Sequence, residues 1–328
     1  MDTSLLNRIC LEWHLGTLAC PPWPLTGGFM HKMYSLFTDK GKYAVKLPNP
    51  YVMKRDTAQE NYHVAEELEA RLEERNLPIL PALVFNGNKM QEIDGQFFYL
   101  YDWYDGKALK DGEINEAHCS RIGELLAVIH GIDRREAAPK EEKELRIDWD
   151  FYIHKLAACN EELHKLVLQN RELLYESQEK GNLARKKLPA VEAICHNDMD
   201  SKNVLWKGED CRIIDLECLA YSNPFLELYE LALCWSGYES CSIDYNLFMK
   251  LIQAYARAGG ELPKDWEVVY DSNCGRLEWL EYSLKRALGM DCAPEEIAVG
   301  VSEARETIAH AVYYRNAKER ILHYLNQQ

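Results

Sequence analysis

A chain of 328 residues with 47% hydrophobic and 28% charged side chains has the make-up of a globular protein and the length for two domains or lobes. Its 53 acidic against 38 basic residues leave a formal charge of −15, which argues against nucleic acid as a partner. No run reaches the roughly 18 apolar residues of a membrane span, the N-terminal stretch lacks a secretion-signal pattern, and 11 cysteines without a C-x-x-C pair fit free thiols in a reducing cytoplasm.

Pro24-Leu25-Thr26-Gly27-Gly28 reads as a glycine-bearing loop. Strands are expected over 34–38 and 43–47 around the turn Asp39-Lys40-Gly41-Lys42, and Pro48-Asn49-Pro50 ends the second. A helix begins near Asp56, where Asp56 and Gln59 resemble a capping box, and Ala58, Tyr62, Ala65, Leu68 and Leu72 recur at helical spacing. Asn76 and Pro78 stop it, and strands are expected over 79–85 and 96–102. Ile122, Leu125, Leu126 and Ile129 form the apolar stripe of a helix closing at Gly131, followed by a charged connector over 133–146 and a helical stretch over 151–180. Short strands 193–195 and 211–214 flank a turn at Lys207-Gly208-Glu209-Asp210, and helical patterns dominate from 225 onward.

The residues that carry chemistry sit around that turn. His196-Asn197-Asp198-Met199-Asp200-Ser201-Lys202-Asn203 has the spacing H-x-D-x-x-x-x-N, and Asp215 follows Asn203 by 12 residues. Phosphoryl transfer asks for a carboxylate near the acceptor hydroxyl, oxygen ligands for Mg²⁺ and positive charge on the phosphates. Asp198 can take the hydroxyl proton, Asn203 and Asp215 offer hard oxygen ligands, and His196 would hold the loop. Cys195 beside His196 reads as a small buried hydrophobe rather than a nucleophile.

The pattern resembles the aminoglycoside phosphotransferase and choline kinase family of the protein-kinase-like fold. Tyr43-Ala44-Val45-Lys46 is similar to the strand whose Lys grips the nucleotide phosphates. Glu60 stands where the family's helix Glu pairs with that Lys. Residues 99–106 look like the hinge, where backbone groups at Asp102 and Tyr104 would hold the adenine edge and Tyr101 would line its pocket. Gly27 and Gly28 would cover the phosphates. Leu126-Ala127-Val128-Ile129-His130-Gly131, Asn223-Pro224-Phe225-Leu226-Glu227-Leu228 and 279–288 also match the family's rhythm. The protein-kinase D-F-G is replaced by Asp215-Leu216-Glu217 and no A-P-E follows, which favours a small-molecule kinase.

The resemblance implies an α+β, two-lobe fold: a small antiparallel-sheet N-lobe with one helix over 1–101, and a larger, mainly helical C-lobe over 102–328 holding hinge, catalytic loop, metal site and substrate helices. It implies an ATP- or GTP-dependent, Mg²⁺-requiring transfer to a small hydroxyl compound, and the acidic charge leans towards an aminoglycoside or other cationic amino alcohol. A catalytically silent kinase-like binding protein stays open, as does the role of Glu217.

Overall fold

The structure is a computed structural model that describes residues 3–25, 31–137, 144–290 and 292–327. Gly27 and Gly28 lie outside the described residues. The chain divides into two compact units, Met1–Lys110 with His196–Ala220, and Asp111–Cys195 with Tyr221–Gln328.

The first unit is built on a five-stranded antiparallel sheet of order β1-β2-β3-β5-β4, with β1 Pro24–Leu25, β2 Lys32–Phe37, β3 Lys42–Leu47, β4 Gln91–Ile93 and β5 Gln96–Asp102. Strand side chains alternate between faces, and both faces are used. Val45, Leu47, Phe98 and Leu100 pack with Leu6, Ile9 and Cys10 of helix α1, Thr3–Glu12, which the sequence reading did not anticipate. The alternate set turns the other way: Tyr99 and Tyr101 join Tyr62 of helix α3, Ala58–Glu74. Lys46 is paired in register with Tyr99, so the same alternation sends its side chain to that second face. The hairpin Val204–Lys207 and Asp210–Ile213 belongs to this unit, closed by a two-residue turn with Gly208 at φ 63°. Lys107 and Trp206 exchange backbone hydrogen bonds of 2.9 and 2.8 Å, tying the segment after β5 to the hairpin.

Three local expectations change here. Residues 79–85 are extended but form no continuous strand: Pro81 has no N–H to give, and the segment makes isolated pairings, among them Leu80 N to Ile213 O, Leu83 N to Leu100 O and Phe85 with Asn88. The Asp56–Gln59 capping box does not form; Thr57 occupies the cap of α3 without a side-chain bond. Pro50 ends β3 and also opens a one-turn helix, α2 Pro50–Met53, capped by Asn49.

The second unit is helical: α4 Glu116–His130, α5 Trp149–Leu156, α6 Glu161–Gln169, α7 Arg171–Arg185, α8 Pro224–Cys234, α9 Tyr245–Arg257, α10 Trp266–Ser272, α11 Gly275–Ala287 and α12 Ile297–Leu325. The single helical stretch expected over 151–180 is three elements, because Asn160 and Asn170 take non-helical or terminal geometry and start α6 and α7. A short sheet joins Arg135–Glu136, Val191–Cys195 and Ala220–Ser222. Gly123 lets α4 and α9 cross closely, since a Cβ there would sit 2.3 Å from the Leu251 carbonyl. Leu277, Leu280 and Leu284 of α11 enter a core with Trp149, Leu156, Ala304 and Ile308, so the run 279–288 serves packing.

At the end of α4, His130 is buried with Nε2 2.7 Å from Glu227 Oε2 and Nδ1 2.9 Å from the Tyr255 hydroxyl. The Cys195 thiol lies 3.6 Å from the same Nε2 and donates to the Ser222 carbonyl at 3.5 Å. Both ring nitrogens are therefore engaged, Nε2 with the Glu227 carboxyl and Nδ1 with the Tyr255 hydroxyl. Removing one partner of a buried pair strands the other. His130→Ala is therefore expected to destabilise the protein by about 3 kcal/mol, read as a lower urea midpoint, whereas Val128→Ala, at an exposed position on the same helix, should leave the midpoint nearly unchanged.

Candidate active site

The loop after Cys195 is shaped by its own side chains. His196 is fully buried; its Nε2–H donates to the Ile214 carbonyl at 3.0 Å, and its Nδ1 accepts from the Asp198 N–H at 3.3 Å. Those two bonds fix the tautomer and clamp the loop to the segment that leads into Asp215. Asn197 takes the left-handed φ of 62° that Asn tolerates, and its Nδ2 donates to the Cys218 carbonyl at 2.8 Å. The Ile214 N–H donates to the Asn203 carbonyl at 2.9 Å. Residues 196–203 and 214–218 are thus stitched together despite their separation in sequence.

Asn203 is buried, and its Nδ2 donates to both the backbone carbonyl and Oδ2 of Asp198, each at 2.8 Å. With the amide nitrogen committed, Oδ1 has no protein donor among the described residues and is the atom left for a cation. Asp198 is part-buried; burial pushes its carboxyl up to about 6, with Asp200 and Asp215 adding to the rise and Lys202 opposing it. Asp215 sits at φ 64°, a left-handed conformation that a non-glycine residue holds at a cost of about 1–3 kcal/mol.

Lys46 is buried, and its Nζ donates to both Asp215 Oδ1 and Glu217 Oε2. Burial alone would lower the ammonium's pKa, but the two carboxylates more than offset it and hold it above the ordinary value. Glu217 also accepts from His31 Nε2 at 2.8 Å. Burial would raise its carboxyl, yet Lys46 and His31 together hold it well below the usual range. One cation therefore bridges two carboxylates two residues apart, Asp215 just before the short turn Leu216–Cys218 and Glu217 within it.

The structure brings His196, Asp198, Asn203, Asp215 and Lys46 into one compact unit. Glu60 stands apart. It is exposed on the first turn of α3, about 200° round the helix from the buried Ala58, and Lys46 is paired with Asp215 and Glu217 instead. The acids nearer the sheet are committed elsewhere: Glu69 to Lys89 at 2.9 Å and to the Ala82 N–H at 3.0 Å, and Glu66 to the Tyr99 hydroxyl at 2.9 Å. Two participants went unassigned in the sequence, Glu217 and His31. Glu217 was visible as an acid in place of the D-F-G glycine, but nothing in the spacing ties His31 to it.

At the end of β5, the Tyr101 side chain packs with Tyr62 and Tyr99, and burial raises its phenol well above the ordinary value. Trp103 donates its N–H to the Lys42 carbonyl at 3.1 Å. The backbone groups of Tyr104, beyond the strand, find no partner among the described residues, and its hydroxyl is buried without one. Asp102 is exposed at the strand end.

Residues 24–271 match the phosphotransferase enzyme family. No curated protein sequence matches significantly. Solved structures share the fold. A spectinomycin phosphotransferase in complex with ADP and spectinomycin superposes with a TM-score of 0.70 at 12% identity, covering 96% of this chain and 99% of its own. An amicoumacin kinase in complex with AMP-PNP and Ca²⁺ gives a TM-score of 0.60 at 12% identity, covering 94% and 96%. Choline kinase from Cryptosporidium parvum gives 0.56 at 14% identity, covering 99% of each chain.

Proposed function

This chain belongs to the phosphotransferase enzyme family, and on that premise we propose that it is a small-molecule kinase that moves the γ-phosphoryl group of ATP onto a hydroxyl. The observation that carries the reading is the convergence of Asp198, Asn203, Asp215, Glu217 and Lys46 in one unit. Hard oxygen donors from a neutral amide and two carboxylates suit Mg²⁺, which would supply positive charge against the phosphates. Asn203 Oδ1 and Asp215 would hold it, and Glu217 adds a third oxygen donor once Lys46 turns to the phosphates.

In the step itself the acceptor oxygen bonds to the γ-phosphorus as the bond to the β,γ-bridging oxygen breaks. ADP leaves with that electron pair, and the hydroxyl proton passes to the Asp198 carboxylate. His196 keeps the loop in register with Asp215. The sheet unit within 1–101, with the Tyr101–Tyr104 segment and the Gly27–Gly28 loop, holds the nucleotide, and helices within 102–328 hold the acceptor. A formal charge of −15 supports an acceptor that is an aminoglycoside or another cationic amino alcohol.

Eleven free thiols support a reducing, cytoplasmic setting; no described helix is long and apolar enough to cross a membrane. The test is a phosphorylation screen of small hydroxyl compounds with ATP and with GTP, with and without Mg²⁺. Transfer that needs Mg²⁺ supports the reading. Tight Mg·ATP binding with no transfer and no slow hydrolysis would move the protein to a silent, binding role.

A further inference from the structure

The loop carries a cation that the proposed reaction has not yet used. Lys202 Nζ lies 3.4 Å from Asp198 Oδ1 and 2.8 Å from Asp200 Oδ2. The other oxygen of Asp200 accepts from the Lys202 backbone N–H at 3.1 Å, so one aspartate holds this lysine by both backbone and side chain. The two ends of the Asp198 carboxylate are then unequal. Oδ2 is closed by Asn203 at 2.8 Å, whereas among the described residues Oδ1 meets only the long contact to Lys202.

We propose that Lys202, tethered by Asp200, is a positioning residue that turns Oδ1 of Asp198 towards the acceptor hydroxyl. The inference rests on the small-molecule kinase reading above. Its physical content is a three-point hold: Asn203 fixes one carboxylate oxygen, Lys202 steers the other, and Asp200 fixes Lys202. Asp198, Asp200 and Asp215 are three acids on one short hairpin region, and without the lysine Asp198 would face the other two with Asn203 alone to orient it. Lys202 is half-exposed, so it can follow the carboxylate as the hydroxyl arrives. Lys46 deals with a different pair of acids, so nucleotide binding does not depend on Lys202.

The experiment uses the full chain with Mg·ATP, reading slow hydrolysis with water as acceptor and nucleotide affinity by calorimetry. Lys202→Met should lower kcat about ten- to hundredfold, as misplacement of a reacting group by about 1 Å does, with the KM for ATP unchanged. Lys202→Arg should recover much of the loss, because the charge remains. Asp200→Asn should show a smaller loss, and Lys202→Met with Asp200→Asn together should be no worse than Lys202→Met alone. The arginine and asparagine variants carry the test if the methionine variant does not fold.

Wild type that hydrolyses Mg·ATP beside a Lys202→Met protein within twofold of it overturns the positioning role and leaves the kinase reading standing. Equal losses in the arginine and methionine variants, or a loss that appears as a higher KM for ATP, also overturn it. Wild type that neither binds nor hydrolyses Mg·ATP removes the kinase reading and this inference with it.

Discussion

Asp198→Ala is expected to lower turnover by about 10²–10⁴-fold, the range a positioned acid or base supplies, while Mg·ATP binds as in wild type. The split follows from where the residue sits: Asp198 is held by Asn203 and Lys202, whereas the cation proposed for the phosphates, Lys46, is held by Asp215 and Glu217. Single-turnover rates and calorimetric nucleotide affinities measured on one preparation check it. A loss confined to affinity would place Asp198 in nucleotide binding instead.

The same residue predicts a pH dependence and a stability change with opposite signs. Its carboxyl must be ionised to receive a proton, and burial raises it to about 6. Turnover per free enzyme should therefore fall about tenfold per pH unit below about 6, and Mg²⁺ bound beside it would move that limb lower. For stability, a carboxyl raised on folding binds its proton more tightly in the native state. Stability then falls as pH rises from the unfolded value towards the folded one, and the penalty stays constant above about 6. Asp198→Asn removes the penalty while keeping a side chain that Asn203 can contact. It should unfold at a higher urea midpoint than wild type at neutral pH and yet be inactive. A residue kept for packing would show the reverse.

Much of this site was legible in the sequence because the hairpin is local. His196, Asp198 and Asn203 lie in the segment leading into the hairpin and Asp215 just after it, so the hairpin brings them together over a short stretch of chain. Lys46 was legible only through the resemblance of Tyr43-Ala44-Val45-Lys46 to the family's phosphate-gripping strand, since a lysine after an apolar strand more often faces solvent. The rest depends on tertiary rotation. Choosing among Glu60, Glu66 and Glu67 requires knowing how α3 is turned against the sheet, and its buried stripe of Tyr62, Ala65 and Leu68 leaves Glu60 outside. The missed helix Thr3–Glu12 has the same cause. At ten residues it is too short to hold by itself, and the sheet face that Leu6, Ile9 and Cys10 cover explains why it forms.

Lys46→Met should be the second large effect, and it separates two roles of one side chain. Loss of a cation aimed at the transferring phosphoryl group is expected to lower turnover by about 10²–10³-fold. In the nucleotide-free protein, however, the ammonium is the shared partner of Asp215 and Glu217. Deleting it leaves two part-buried carboxylates facing each other, with His31 on Glu217 alone. That should destabilise the variant by about 3–5 kcal/mol, the cost of breaking a buried pair from one side. It also removes the competitor for a divalent ion. Mg²⁺ or Mn²⁺ added without nucleotide should then bind Lys46→Met more tightly than wild type, and raise its melting temperature more, because a ligand that binds only the native state stabilises in proportion to its affinity. Mn²⁺ titration followed by electron paramagnetic resonance, paired with thermal melts, reads both. If the variant bound the ion no better than wild type, Lys46 would not be standing in for the metal, and Asp215 and Glu217 would have to be treated as a structural anchor for the lysine rather than as its alternative partners in turnover.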